Sequence, residues 1–416
     1  MFSENNIQHL EKPELIAPAG DWDSLHSAIS AGADGVYFGL KGLSMRNFAV
    51  NFDILELKKI IQTLHKHQKK GYLALNVIVY NHEIEKIKTI LNEAKCAGVD
   101  AVILWDMGVF SLAKELGLKI HLSTQASTAN IEALRHYSAL GAKRVVLARE
   151  CCLGDIKTLI QEMERDGTSC QIETFIHGAM CISISGRCFL SEYSFSKSAN
   201  RGECLQPCRR EYFISDKEDE CQYIMGEDYI LSPKDLCTID FIDKLIEAKI
   251  TSFKIEGRIR SPEYVKVVTS VYRNAIDAYF KGTLNGQLKK ELKSRLKAVY
   301  NRGFSSGFFL GKPTKAISRR LESEYEKIYI GEVVKFYKKI NVAEVKVRNR
   351  GLKKGDQVLC VGKNTPASFA VVSDLQIEHK FVDSLERGNT GGVKLPFVAR
   401  RNDKVFVWKE KELQPS

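Results

Sequence analysis

The chain has 416 residues, a formal charge of +11, 44% hydrophobic and 27% charged residues. That balance excludes collagen-like, coiled-coil and disordered classes, and at roughly 100–200 residues per domain it suggests two or three domains. No apolar stretch approaches the ~20 residues of a transmembrane helix, and the opening MFSENNIQHLEKPEL lacks a secretory pattern. A cytoplasmic protein with no membrane partner is expected.

From residue 14 to about 281, short apolar runs alternate with amphipathic segments. The predicted strands are Glu14–Ala17, Gly35–Leu40, Tyr72–Val79, Ala101–Trp105, Lys119–Leu122, Arg144–Ala148, Ile172–Ile176 and Ser252–Ile255. Their continuous apolar character is that of parallel strands buried on both faces. Segments such as Phe52–Gln68 and Glu83–Ala97 carry helical periodicity, and Gly32, Gly98, Gly117 and Gly141 stand where helices should stop. Eight strands each followed by a helix predict a TIM-like (β/α)8 barrel over residues 1–281. No Gly-rich dinucleotide turn follows the first strand, which disfavours an open doubly wound sheet. Polar residues just past the strands are Asp21, Asn76, Asp106, Ser123, Gln125, Glu150, His177, Glu256 and Arg258. In a barrel these converge on the carboxyl-terminal mouth, where active sites are built.

The connection after strand 7, residues 177–232, is too long for a simple loop and holds five of the eleven cysteines. The basic helix Gly286–Tyr300 and the linker NRGFSSGFFLGKP fill residues 282–328, and a run of alternating strands over 329–416 predicts a small C-terminal β-barrel. Residues 281–416 carry a net +15 and residues 1–280 a net −4. That asymmetry favours contact with a polyanion such as nucleic acid over a merely solvated face.

Eleven cysteines in a cytoplasmic chain do not form a disulfide framework, which turns attention to metal or cluster ligation. Cys181, Cys188, Cys204 and Cys208 lie in the insertion, with Cys221 and Cys237 further on. Their gaps lack paired C-x2-C knuckles and suit a cluster held by a winding loop better than a zinc finger. Cys96, Cys151, Cys152, Cys170 and Cys360 read as packing residues.

The string E-x-F-x-x-G-A-M-C-x-x-x-x-G-x-C-x-L-S, from Glu173 to Ser191, resembles the signature of the collagenase-like peptidase family, peptidase family U32. ELIAPAGDWDSLHSAISAGADGVYFG, ANRGECLQPCR, LSPKDLC and SFKIEGRIRSPEYV extend the resemblance over about residues 13–280. The resemblance implies RNA chemistry before proteolysis. Longer members with an added C-terminal barrel are similar to tRNA hydroxylation proteins that make 5-hydroxyuridine at the wobble position, with prephenate as the implied hydroxyl source. It further implies a [4Fe-4S] cluster on Cys181, Cys188, Cys204 and Cys237, with Cys208 as the alternative to its near neighbour Cys204, and tRNA and a redox partner as contacts. Ribosomal RNA is an alternative substrate.

Among the matching positions, Arg258 and Lys254 are candidates for an anionic co-substrate, as are Arg201 and Arg209, because guanidinium groups bind carboxylates in bidentate fashion. His177 is a candidate general acid/base or a simple hydrogen-bonding residue. Glu173 and Glu256 are the candidate catalytic carboxylates, with Glu173 expected to point into the barrel towards a cation. A serine peptidase is disfavoured on the expectation that no G-x-S-x-G elbow occurs. A cysteine peptidase built on Cys181 or Cys188 with His177 stays open as the alternative.

Overall fold

A computed structural model describes residues 10–42, 44–46, 49–184, 187–210, 212–215, 222–225, 234–311 and 325–410. Eight parallel strands close a barrel in chain order: β1 (Glu14–Ala19), β2 (Gly35–Gly39), β3 (Lys70–Ala74), β4 (Ala101–Leu104), β5 (Ile120–Leu122), β6 (Ala142–Val146), β7 (Gln171–Gly178) and, last, Ser252–Ile255, which pairs with both β7 and β1. All eight predicted strands are present. β3 ends at Ala74, short of the predicted Val79. The apolar run outlasts the strand because the insertion covers it: Leu75 and Val77 are buried and the Ile78 amide donates to the Asn200 carbonyl.

The barrel helices are α1 (Trp22–Ser30), α2 (Leu57–Lys66), α3 (Ile84–Ala97), α4 (Met107–Glu115), α5 (Ile131–Leu140) and α6 (Leu153–Asp166). In α2, Leu57, Ile60, Ile61 and Leu64 are buried, the i, i+3, i+4, i+7 stripe of a helix packed on a sheet. Asp21 and Asp106 are N-caps: their carboxylates accept the amides of Ser24 and Val109. These two strand-end acids therefore start helices and take no part in the mouth.

After β7 come a short helix α7 (Leu190–Phe195), the hairpin β8 (Tyr212–Ser215) and β9 (Gln222–Met225), then β10 (Asp235–Cys237), which pairs antiparallel with β7. Helix α8 (Ile242–Glu247) leads to the closing strand β11 (Ser252–Ile255), followed by α9 (Pro262–Phe280) and α10 (Gly286–Lys297). The segment read as linker is part of the barrel wall as far as residue 311. Its strand β12 (Phe304–Ser305) pairs with β10, Phe309 packs on Phe241, and the Phe309 carbonyl accepts the Leu153 amide.

The C-terminal part is antiparallel: β13 (Tyr325–Tyr337), β14 (Val342–Val347), β15 (Leu352–Lys353), β16 (Gln357–Gly362), β17 (Thr365–Val371), β18 (Leu375–Ile377), β19 (Lys380–Val382), β20 (Ser384–Leu385), β21 (Thr390–Lys394) and β22 (Lys404–Glu410). Its main ladder runs β17-β16-β22-β13-β14-β21-β18-β19 around a core that includes Val345, Val358, Leu375 and Val393. Among the described residues no β17–β19 pairing closes it. It docks on the barrel's outer helices: Leu359, Val361, Ala367 and Trp408 join the barrel core, and the Ala367 amide donates to Ser27 Oγ. No helix among the described residues is long and apolar enough to cross a membrane.

Candidate active site at the barrel mouth

The strands point two polar layers into the barrel. In the lower layer, Lys254 Nζ lies 2.7 Å from Glu173 Oε1, and Arg144 Nη1 lies 3.2 Å from Glu173 Oε2 while its other nitrogen reaches Glu14. Burial alone would push the Glu173 carboxyl up; Lys254 and Arg144 more than offset this and hold it at about 2. Lys254 is shifted down, by burial first and against the pull of Glu173. Its ammonium also faces the Tyr37 ring at 4.5 Å.

The upper layer opens into a cavity of about 130 Å³. Glu256 accepts from Arg46 Nε at 3.2 Å and pairs with Arg149 at 3.8 Å. Burial raises this carboxyl, and Arg46, Arg149 and Arg258 together bring it below the ordinary range. The Arg258 guanidinium is bound by Ser44 Oγ and pushed down to about 10, mainly by burial. It fits because β2 ends in Gly39, where any β-carbon would collide with Arg258 Nη1 and Ser44 Oγ. Asn76, Ser123 and Gln125 complete the strand-end wall, and the Asn76 amide donates to Gln125 at 3.2 Å.

The insertion closes the cavity from above with Cys181, Cys188, Cys204 and Cys208. The Cys181 and Cys188 sulfurs accept the amides of Ser183 and Leu190 at 3.4 and 3.3 Å. Burial raises Cys204, and raises Cys208 to about 11, with the other insertion thiols adding to both. Arg209 lies beside them and donates to the Met180 carbonyl; burial first, then Arg302, brings it down to about 10. Among the described residues no three His, Cys, Asp or Glu side chains are gathered to hold one metal ion.

Several predicted site residues lie elsewhere. His177 is buried behind the barrel wall, its ring against Tyr264, Tyr272 and Phe304, with Nδ1 3.2 Å from Tyr272 Oη. Alternation along β7 would place it beside Glu173 and Phe175, but the β7–β11 register slips between Lys254 and Ile255, and the bulge turns it away. Burial lowers its pKa to about 4. It hydrogen-bonds Tyr272 of α9, and its ring has no access to the cavity for an acid/base role. Cys237 is also buried outside the cavity, 3.8 Å from Tyr272 Oη, and Cys208 stands among the thiols in its place. Glu173 lies below the cavity floor, so it positions Lys254 and does not face the cavity itself. Arg201 pairs with Glu83 and covers the Tyr80 ring, which pins the insertion to the β3–α3 loop and leaves it off the cavity wall. Glu150 is exposed, and its neighbour Arg149 lines the cavity. Cys221 lies outside the described residues.

Sequence reasoning passed over Arg46 and Arg149, because neither ends an apolar run in phase with the strands. It also passed over one G-x-S-x-G string, Gly303–Gly307. That string is no elbow: Ser305 lies on β12, and its Oγ accepts the Gly307 amide.

A closed (β/α)8 barrel with a cysteine-bearing insertion over its mouth defines the class of protein. Residues 20–319 match Peptidase family U32, and the chain belongs to that family. It is 44% identical over 404 residues to "Uncharacterized protease MJ0090" of Methanocaldococcus jannaschii, covering 95% of this chain and 98% of the relative. It is 37% identical to "Collagenase" of Porphyromonas gingivalis, covering 96% and 98%. It is 35% identical to "tRNA hydroxylation protein P1" of Bacillus subtilis, covering 84% and 83%.

Proposed function

We propose that this chain is an RNA base hydroxylase that converts the wobble uridine of tRNA to 5-hydroxyuridine, with prephenate as the hydroxyl source and a redox partner that takes up the two electrons released as C5–H becomes C5–OH. The observation that carries this reading is the cavity's composition. Arg46, Arg149, Arg209 and Arg258 line it beside Glu256, the one carboxylate there among the described residues, and four thiols face them; Lys254 also lines it but is paired with Glu173. Such a wall suits a dianionic ligand, because charge-assisted bonds from arginine are strong and geometrically selective. The similarity to the Bacillus subtilis tRNA hydroxylation protein supports the reaction class.

The donor set fits an iron–sulfur group. Four cysteines share one cavity, and the sulfurs of Cys181 and Cys188 accept backbone amides, the kind of bond that tunes cluster potentials. Cys181, Cys188, Cys204 and Cys208 would hold a [4Fe-4S] cluster, which supplies one-electron redox chemistry when bound. Arg258 and Arg46 hold the anionic co-substrate, Glu256 fixes Arg46, and the insertion excludes water above them. The basic residues 281–416 supply phosphate contacts, so tRNA binding weakens steeply with salt.

Peptidase action is the second reading, favoured by the similarity to "Collagenase". Among the described residues no histidine lines the cavity, so a thiol there lacks the usual base. One experiment separates the two. Anaerobically purified protein, reconstituted with iron and sulfide, is given prephenate, tRNA and an electron acceptor, and the nucleosides are analysed by mass spectrometry beside a collagen-peptide cleavage assay. Formation of 5-hydroxyuridine is expected. Peptide cleavage that survives removal of iron, without nucleoside product, would replace the hydroxylase with the peptidase.

A further inference from the structure

The outer face of α7 presents two large aromatic side chains to solvent. Phe189 is 75% exposed and Tyr193 91% exposed. They stand four residues apart, and the Tyr193 amide donates to the Phe189 carbonyl, so they share one face of the helical turn. The opposite side of the same turn borders the cavity through Cys188, Leu190 and Ser191. Exposing this much aromatic surface beside a reaction cavity does nothing for the fold.

The surroundings are cationic. Arg187, Lys197 and Arg210 are exposed. Arg187 lies over the Trp105 ring at 5.0 Å and donates to the Gln125 carbonyl at the cavity wall, and Arg210 lies over Phe195 at 4.4 Å. Glu192 and Glu203 are the carboxylates of this stretch, and Glu203 is 4.0 Å from Lys197. Exposed rings among arginines are the elements of single-stranded nucleic-acid binding, where bases stack on aromatic faces and cations follow the phosphates.

We propose that Phe189 and Tyr193 form a stacking platform for unpaired RNA bases flanking the one that enters the cavity. This rests on the hydroxylase reading and deepens it: the substrate is presented as a single-stranded loop. A base must leave its stack to reach an enclosed site, and its neighbours then lose their own stacking partner. The platform returns that partner within the protein, beside the cavity.

The test uses a fluorescent uridine-centred heptanucleotide RNA, single-stranded or annealed to its complement, titrated against the full chain. F189A and Y193A each weaken single-strand binding about tenfold and together about 50-fold, as loss of base–aromatic stacking requires. F189W and Y193F stay within about twofold of wild type, and duplex RNA binds weakly to all. Both positions are exposed, and circular dichroism confirms that the variants fold. Wild-type binding that the double variant matches within about twofold overturns the platform while leaving the hydroxylase reading intact. No RNA binding by wild type overturns the hydroxylase reading itself. Unchanged RNA affinity with loss of turnover supported by a protein redox partner gives the face to that partner and also overturns the platform.

Discussion

In the lower layer of the barrel each charge meets its opposite: Glu173 lies between Lys254 and Arg144, and Arg144 continues to Glu14. One layer higher the balance fails, and among the described residues Glu256 alone answers Arg46, Arg149 and Arg258. The lower layer is buried and the upper one is partly open at Arg46, yet both use the same residue types. The neutralised layer holds the strands in register, whereas the unneutralised one keeps spare positive charge that an anionic ligand can meet. The difference separates residues that serve the fold from residues that serve the chemistry.

The largest expected effect tests the chemical half of that comparison. Cys188→Ala leaves the far-ultraviolet circular dichroism unchanged and lowers 5-hydroxyuridine to background with loss of bound iron, because its thiol faces the cavity and packs in no core. Unfolding by this variant would make the thiols structural. Next, Glu173→Gln destabilises the chain by about 3 kcal/mol or more in urea titrations, since it leaves buried Lys254 without its anion and Arg144 with Glu14 alone. Adding Lys254→Met recovers part of that loss. Arg258→Ala should cost little stability by comparison and raise the KM for prephenate about 30-fold, the ~2 kcal/mol of a charged hydrogen bond. An unchanged KM removes Arg258 from the binding wall.

The smallest effect is a pH slope. His177 has a folded pKa of about 4, below the ~6.5 of an unfolded histidine, so the unfolded chain binds its proton first as pH falls. Its contribution to stability is complete above about pH 6.5 and is lost between there and pH 4, at up to ~1.4 kcal/mol per pH unit. His177→Phe should flatten that slope by up to one proton, with His26 and His121, also lowered by burial, keeping the remainder. Glu173 acts lower on the scale: its contribution is complete above about pH 4.3 and fades towards pH 2. A slope unaffected by His177→Phe would mean that the ring is not held neutral behind the wall.

The barrel was legible because strands buried on both faces must be continuously apolar, and helices between them must carry one apolar stripe. The site was legible where it sat on strand ends, as Asn76, Gln125, Glu256 and Arg258 do. His177 was read at the mouth because it follows a predicted strand, but β7 runs on to Gly178 and a one-residue bulge turns the ring away without leaving a mark in the residue types. Arg46 was silent because the loop after β2 has no periodicity to read. Spacing left Cys204 and Cys208 as alternatives, and both line the cavity, whereas the pairing of β10 with β7 turns Cys237, expected among the ligands, into the wall.

The most direct test of the account is a deletion strain complemented with wild type, Cys208→Ser or Cys237→Ser, with tRNA nucleosides measured by mass spectrometry. The account predicts that wild type and Cys237→Ser restore 5-hydroxyuridine and Cys208→Ser does not. Restoration by Cys208→Ser, or a tRNA profile indifferent to the chain, would contradict it.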